Sequence, residues 1–266
     1  MNELGKRLTV SAIFIPVVLI ALYTEGIPLF SIFFLLSALG AIEFRQMMLA
    51  AGHSIPFYWL FWVPLLFIAW LLFPEHDLGI LWLAILPALL HALIIWEPHS
   101  SLPGAFANIF GILYTALFPA LILRIAWYYP VKHILLALIL MIWIVDSMAY
   151  FVGMRFGKKR EITPVSPKKS REGFIAGGLT PFIIIALLYA FGFSLIPWRE
   201  MLLVGIAAGI FGQLGDLVES MLKRYSGVKD SSRIIPGHGG ILDRMDSVLF
   251  AGSFLSIALA VLQKLA

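Results

Sequence analysis

The sequence predicts an all-α integral membrane protein with about nine transmembrane helices, and three observations predict it. Of 266 residues, 61% are hydrophobic and only 13% are charged, against about a half and about a quarter in water-soluble chains. The apolar residues gather into runs of roughly 20, the length at which a helix crosses the hydrocarbon core. Lys and Arg gather in a few of the intervening segments instead of spreading along the chain.

The predicted spans are residues 8–23, 27–42, 57–73, 78–96, 106–127, 134–152, 174–193, 201–222 and 248–262. The first two are short, and the eighth carries Asp216 and Glu219. Lys6 and Arg7 precede the first run as in a signal peptide, but no small-residue cleavage site precedes Glu25, so this segment reads as a retained helix. Pro16, Pro64, Pro87 and Pro119 fall inside spans, where membrane helices tolerate them as kinks. The positive-inside rule puts Lys6 and Arg7, and with them the N-terminus, in the cytoplasm. Alternation from there leaves only Arg124, Lys132, Arg199 and Lys264 of the 19 Lys and Arg residues outside, with the C-terminus also outside.

The chain divides at Val145. Residues 1–145 have short loops poor in charge and read as a transmembrane scaffold with dimer or lipid contacts. Residues 146–266 hold two long basic cytoplasmic loops and most ionisable groups, so function is expected there. The absence of cysteine excludes a thiol nucleophile and a Cys-ligated metal. A net charge of +4 reads as membrane orientation and lipid-phosphate contact rather than nucleic acid binding. No Gly-x-Ser-x-Gly elbow, HExxH, Walker loop or Rossmann fingerprint occurs, which leaves hydrolase readings unsupported.

Carboxylates at membrane depth are costly and mark function. Three places qualify: Asp146; Asp216 with Glu219, on one helical face and followed by Ser220, Lys223 and Arg224; and Asp243 with Asp246, flanking Arg244. Like charges at i and i+3 call for a cation, a proton or a base, and oxygen-only ligands favour a hard ion such as Mg²⁺. The bland alternative pairs Glu219 with Lys223, and Asp243 or Asp246 with Arg244 or another base. Between these sites, Lys229, Asp230, Arg233 and His238 accompany Gly237, Gly239 and Gly240, whose backbone can wrap a phosphate. The other basic loop, with Lys158, Lys159, Arg160, Lys168, Lys169 and Arg171, reads as a polyphosphate clamp or as an anchor on anionic lipid. Glu43 with Arg45 reads as a local pair at the inner face, and His91 and Glu97 as interfacial.

The run Ser220-Met221-Leu222-Lys223-Arg224, Lys229-Asp230, Ser232, Ile235-Pro236, His238-Gly239-Gly240, Asp243-Arg244 and Asp246 resembles the signature of the phosphatidate cytidylyltransferases, or CDP-diacylglycerol synthases. Upstream, Asp146, Ala149-Tyr150, Gly153, Phe156-Gly157-Lys158, Ser166-Pro167-Lys168-Lys169 and Glu172-Gly173 resemble the second conserved region of that family. Met148 replaces a residue that is often Gly, and Ser170 one that is commonly Thr. The resemblance spans about 146–247.

It implies an Mg²⁺-dependent enzyme that transfers CMP from CTP to phosphatidic acid, giving CDP-diacylglycerol and pyrophosphate. A second cation, monovalent or divalent, remains open. The resemblance further implies a homodimer; the compact size points to a bacterial inner membrane, and the topology derived from the charges puts the candidate residues on its cytoplasmic side. Asp216 and Asp243 are expected to bind metal, with Asp146 and Asp246 as further ligands or groups behind them. Lys223, Arg224, Lys229 and His238 are expected to hold phosphates, and Lys168 and Lys169 the CTP or lipid head. Asp230, Arg244, Ser220, Gly239 and Gly240 enter as site residues on the resemblance alone. The rival readings are a CTP-dependent polyprenol or lipid kinase and a transporter of an anionic solute.

Overall fold

The computed structural model describes residues 3–158, 162–193, 195–235 and 239–265, apart from the side chains of residues 3, 4 and 6–9. Every regular element among them is helical: α1 Glu3–Thr24, α2 Gly26–Ala50, α3 Trp59–Leu72, α4 Asp77–Ile94, α5 Ser101–Ile112, α6 Phe118–Tyr128, α7 Ile134–Phe156, α8 Arg171–Ala190, α9 Trp198–Ile206, α10 Gln213–Tyr225 and α11 Leu242–Leu265. A π-helical turn, Leu113–Leu117, joins α5 to α6, and another, Ala207–Gly212, joins α9 to α10. Two long rods result, Ser101–Tyr128 and Trp198–Tyr225. This is an all-α membrane protein.

Seven helices or rods among the described residues are long and apolar enough to cross a bilayer, while Val10–Thr24 and Trp59–Leu72 are apolar but shorter. The expected spans each fall on one of these nine segments. One expectation needs correcting. The second span, read as short because Glu43 and Arg45 interrupt it, is a 25-residue helix. Its charged positions are followed by Gln46-Met47-Met48-Leu49-Ala50, all good helix formers, so the backbone bonding continues through them.

The chain forms two compact units, Met1–Leu123 with Leu222–Arg244, and Arg124–Met221 with Met245–Ala266. The core of the first is aromatic. Phe44, Trp59, Phe67, Trp70 and Tyr114 are fully buried, and Phe44 stacks on Trp59 with ring centroids 5.9 Å apart. This packing fixes the rotation of α2, so that Gly40 turns to Leu242 at the start of α11. Glu43, one turn further on, shares that face.

The second unit is built on close helix approach. A side chain at Gly173 of α8 would meet the Ala149 carbonyl and the Gly153 Cα of α7, the small-residue packing by which membrane helices associate. Ser170 begins α8 as its N-cap, accepting from Gly173 N at 3.1 Å. Away from the helix interiors, the Tyr129 hydroxyl donates to Glu200 at 3.1 Å. Burial first, and then the Glu200 charge, push this phenol up to about 12, so it remains a donor at working pH.

Candidate active site

In the first unit the site grows from the segment 226–241 between α10 and α11. Two acidic side chains gather its donors. Asp243, in the first turn of α11, takes Lys223 Nζ on Oδ1 at 2.6 Å. On Oδ2 it takes Ser231 N at 2.8 Å, Ser231 Oγ at 2.9 Å and Gly240 N at 2.8 Å. The Lys223 and Asp243 side chains are 12% and 6% exposed, so separating them strands a buried charge.

The second acid is Glu43, fully buried. Its Oε1 accepts from Ser232 Oγ at 2.6 Å and Ile241 N at 2.8 Å, and its Oε2 from Ser231 Oγ at 3.0 Å and Leu242 N at 2.9 Å. The Ile241 and Leu242 amides open α11, where no carbonyl one turn back can receive them. Glu43 therefore caps a helix from outside and pins the preceding loop in the same contact. Ser231 Oγ lies between Glu43 and Asp243, its single proton shared by the two acids.

Two glycines are forced by this arrangement. Gly239 has φ +84°, where L side chains are strained. At Gly240 a Cβ would stand within 2.6 Å of both Glu43 oxygens, and closer still to Ser231 Oγ. The Gly240 N–H, read from sequence as a phosphate donor, is occupied by the Asp243 carboxylate. Beside the loop a cavity of about 430 Å³ is lined by Gln46, Met47 and residues 228–233. Lys229, Asp230 and Arg233 on its wall are exposed. Arg224 is also exposed, its Nη1 on the Val228 carbonyl at 3.3 Å. His238, expected to hold phosphate, lies outside the described residues, as do Pro236, Gly237, Lys159 and Arg160.

The second unit holds the remaining carboxylates. Lys169 forms an ion pair with Asp216, both about a third exposed, and Asp146 lies close enough to feel both charges. Asp246 hydrogen-bonds with Glu219, feels Asp216 and accepts Ser247 N at 2.7 Å. Glu219 is fully buried. Gly215 makes this convergence possible, since a Cβ there would run into the Asp246 carbonyl and lie 3.0 Å from Phe250 Cβ. A π turn stands immediately before α10, and such turns are frequent at functional sites. Lys169 immediately precedes Ser170, the cap of α8, while Lys168 is exposed. Ser220 is half-buried and Arg244 exposed.

Of the bland pairings, Asp243 does find a base, but it is Lys223, twenty residues away. Glu43 and Arg45 do not form a local pair, because Arg45 Nε donates to the Ile55 carbonyl at 3.1 Å. Glu43 and Ser231 are the residues of this network that sequence reasoning missed. A signal for Glu43 existed, since it is the sole acid of a 25-residue apolar helix.

The sequence profile of the Cytidylyltransferase family matches residues 5–262. The chain belongs to this family. The cytidylyltransferase-family chain is similar to phosphatidate cytidylyltransferase of Bacillus subtilis, 50% identical over 121 residues, or 45% of each chain. Proteins of the same name from Staphylococcus haemolyticus and Staphylococcus aureus are 49% and 47% identical over 128 residues, 48% of this chain and 49% of theirs. The chain thus matches about half the length of these curated relatives.

The acid cluster fits Mg²⁺ by the chemistry of its donors, which are hard oxygens. Among the described residues no three His, Cys, Asp or Glu side chains converge as a ready cage. Mg²⁺ commonly binds through one or two carboxylates, with water and substrate phosphate completing its octahedron, so the pairwise arrangement is sufficient.

Proposed function

We propose that this chain is a phosphatidate cytidylyltransferase that transfers CMP from CTP to phosphatidic acid, releasing CDP-diacylglycerol and pyrophosphate. The observation that carries the reading is the Lys223–Asp243–Ser231–Gly240 network, which orders the loop bearing Lys229 and Arg233 beside a cavity of about 430 Å³. Family membership and the names of the relatives support the same reading.

The residues suit the chemistry. A lipid phosphate is already an anionic nucleophile, so no serine or cysteine is required. Its oxygen attacks the α-phosphorus of CTP, the bond to the bridging oxygen breaks, and pyrophosphate departs with the electron pair. Such a transfer depends on alignment and charge neutralisation. Lys229, Arg224 and Arg233 supply positive charge for phosphates, His238 is assigned with them, and Lys168 holds the nucleotide or lipid head. Lys169, paired with Asp216, is assigned with Lys168. Asp216 with Asp146 or Asp246 would hold Mg²⁺, which when bound neutralises phosphate oxygens and the leaving pyrophosphate. Asp243 is assigned to metal as well, on condition that it exchanges a present donor. Asp230, Ser220, Arg244, Gly239 and Gly240 complete the proposed site.

The setting we infer is a bacterial inner membrane, with nine spans, a cytoplasmic N-terminus, the site at the cytoplasmic face and a homodimeric assembly. The test uses purified protein with phosphatidic acid or a polyprenol and CTP labelled at either the α- or the γ-phosphate, with Mg²⁺ or EDTA, beside a flux assay on the protein in sealed vesicles. Mg²⁺-dependent α-label in lipid is expected. Label only from the γ-position, on a polyprenol, would make it a kinase, and solute flux without either would make it a transporter.

A further inference from the structure

A second cavity, of about 270 Å³, lies in the first unit away from the segment 226–241. It is lined by the loop between α2 and α3, the end of α4 and the beginning of α5, and its polar groups are Ser54, His91, Glu97, Ser100, Ser101 and Asn108. The signature residues take no part in it.

The cavity asks for a donor. Asn108 is 2% exposed, and its Nδ2 donates to the Ser54 carbonyl at 3.2 Å and the Gly104 carbonyl at 2.9 Å, which fixes the amide orientation. Its Oδ1 is buried with no hydrogen-bond partner among the described residues. An unmatched buried acceptor is costly, and a ligand N–H would satisfy it. Glu97 adds charge: one oxygen accepts Ser100 Oγ at 2.7 Å, and no basic side chain among the described residues pairs with it.

An anion is disfavoured despite the helix start nearby. Glu97 folds over that start, with Ser101 N on the Glu97 carbonyl at 3.1 Å and Ser101 Oγ accepting Glu97 N at 2.7 Å. The first amide is therefore used, and a carboxylate stands beside it. Around the cavity, Phe57, Tyr58, Ile95 and Trp96 are exposed, the aromatic belt expected where a membrane protein meets lipid headgroups.

We propose that this cavity binds a primary ammonium group, supplied by the headgroup of an amine-bearing phospholipid, with Asn108 Oδ1 and Glu97 as its acceptors. The loop carrying Gly52 and Ser54 also carries His53. His53 Nε2 lies 2.5 Å from the Tyr225 hydroxyl and its ring stacks on that of Tyr225. Tyr225 ends the helix that bears Lys223 and Arg224, so a filled cavity stiffens the loop that braces that end.

The test is thermal unfolding of the full chain in phosphatidylcholine bicelles, titrated with phosphatidylethanolamine, phosphatidylglycerol or free ethanolamine. A saturable rise in Tm with phosphatidylethanolamine is expected, and none with phosphatidylglycerol. Phosphatidylcholine, whose quaternary nitrogen has no N–H, serves as the blank. Loss of one charge-assisted contact in Glu97→Gln should weaken the response about 10-fold or more. Asn108→Leu should abolish it; should that variant not fold, the exposed Glu97 still decides. An equal response to free ethanolamine would support the ammonium site and assign it to a soluble amine. No response to either amine, a response unchanged in Glu97→Gln, or a stronger response to phosphatidylglycerol would overturn the proposal. Since the readout is binding, its failure is separate from failure of the proposed reaction.

Discussion

Replacing Glu43 with Gln changes one atom of a buried side chain, and its consequence can be worked out from four hydrogen bonds. Each carboxylate oxygen accepts one serine hydroxyl and one backbone N–H, with Ser232 and Ile241 on Oε1 and Ser231 and Leu242 on Oε2. A glutamine must put its NH₂ at one of these positions. The serine there can rotate and accept, but the amide of Ile241 or Leu242 cannot, so in either orientation one N–H faces another. A buried donor left without a partner costs about 1–3 kcal/mol. At about 2 kcal/mol a chain of this size should lose about 4–8 °C in Tm. Relief by moving the loop would also displace residues 229–233, and a shift of about 1 Å can cost about 100-fold in rate. The assay is thermal unfolding in detergent alongside CMP transfer from α-labelled CTP. A Glu43→Gln protein with unchanged Tm and unchanged turnover would refute the assignment of Glu43 as the clamp on this loop.

Four other positions carry predictions of the same kind. Gly240→Ala should impair folding or remove turnover, because the new methyl meets Ser231 and both Glu43 oxygens; unfolding scans and the transfer assay would check this. Lys223→Met leaves Asp243 buried without its cation and should cost about 3–5 kcal/mol, read as a fall in Tm. Asp216→Asn, at a part-exposed position, should keep Tm near that of the parent while turnover falls and the response to added Mg²⁺ flattens. Ser170→Ala removes the cap of α8 and should cost about 1 kcal/mol, whereas Ser170→Thr retains the oxygen and should be tolerated.

The helices were legible because they are apolar runs, most of them of membrane length, and the signature was legible because its charges stand within a hundred residues of one another. The span at α2 was legible, but its end was read too early, before Glu43, whereas the helix runs to Ala50 with Phe44 packed on Trp59. Glu43 is marked in sequence only as the lone acid of an apolar helix; its partners lie near residue 240, and local spacing suggests only Arg45. The Lys223 to Asp243 pair was likewise hidden behind Glu219, which satisfies the i, i+4 rule in sequence, whereas the rotation of α10 brings Lys223 to Asp243. The role of glycine was read in part. Flexibility at Gly239 and Gly240 was expected for phosphate, and the backbone also needs it to pass between two carboxylates.

Cytidylyl transfer is tested most directly by its stoichiometry. Purified protein with phosphatidic acid, Mg²⁺ and α-labelled CTP should release one pyrophosphate for each labelled lipid formed, and none in EDTA. Release of CDP in place of pyrophosphate, or no labelled lipid from protein shown to be folded, would contradict it.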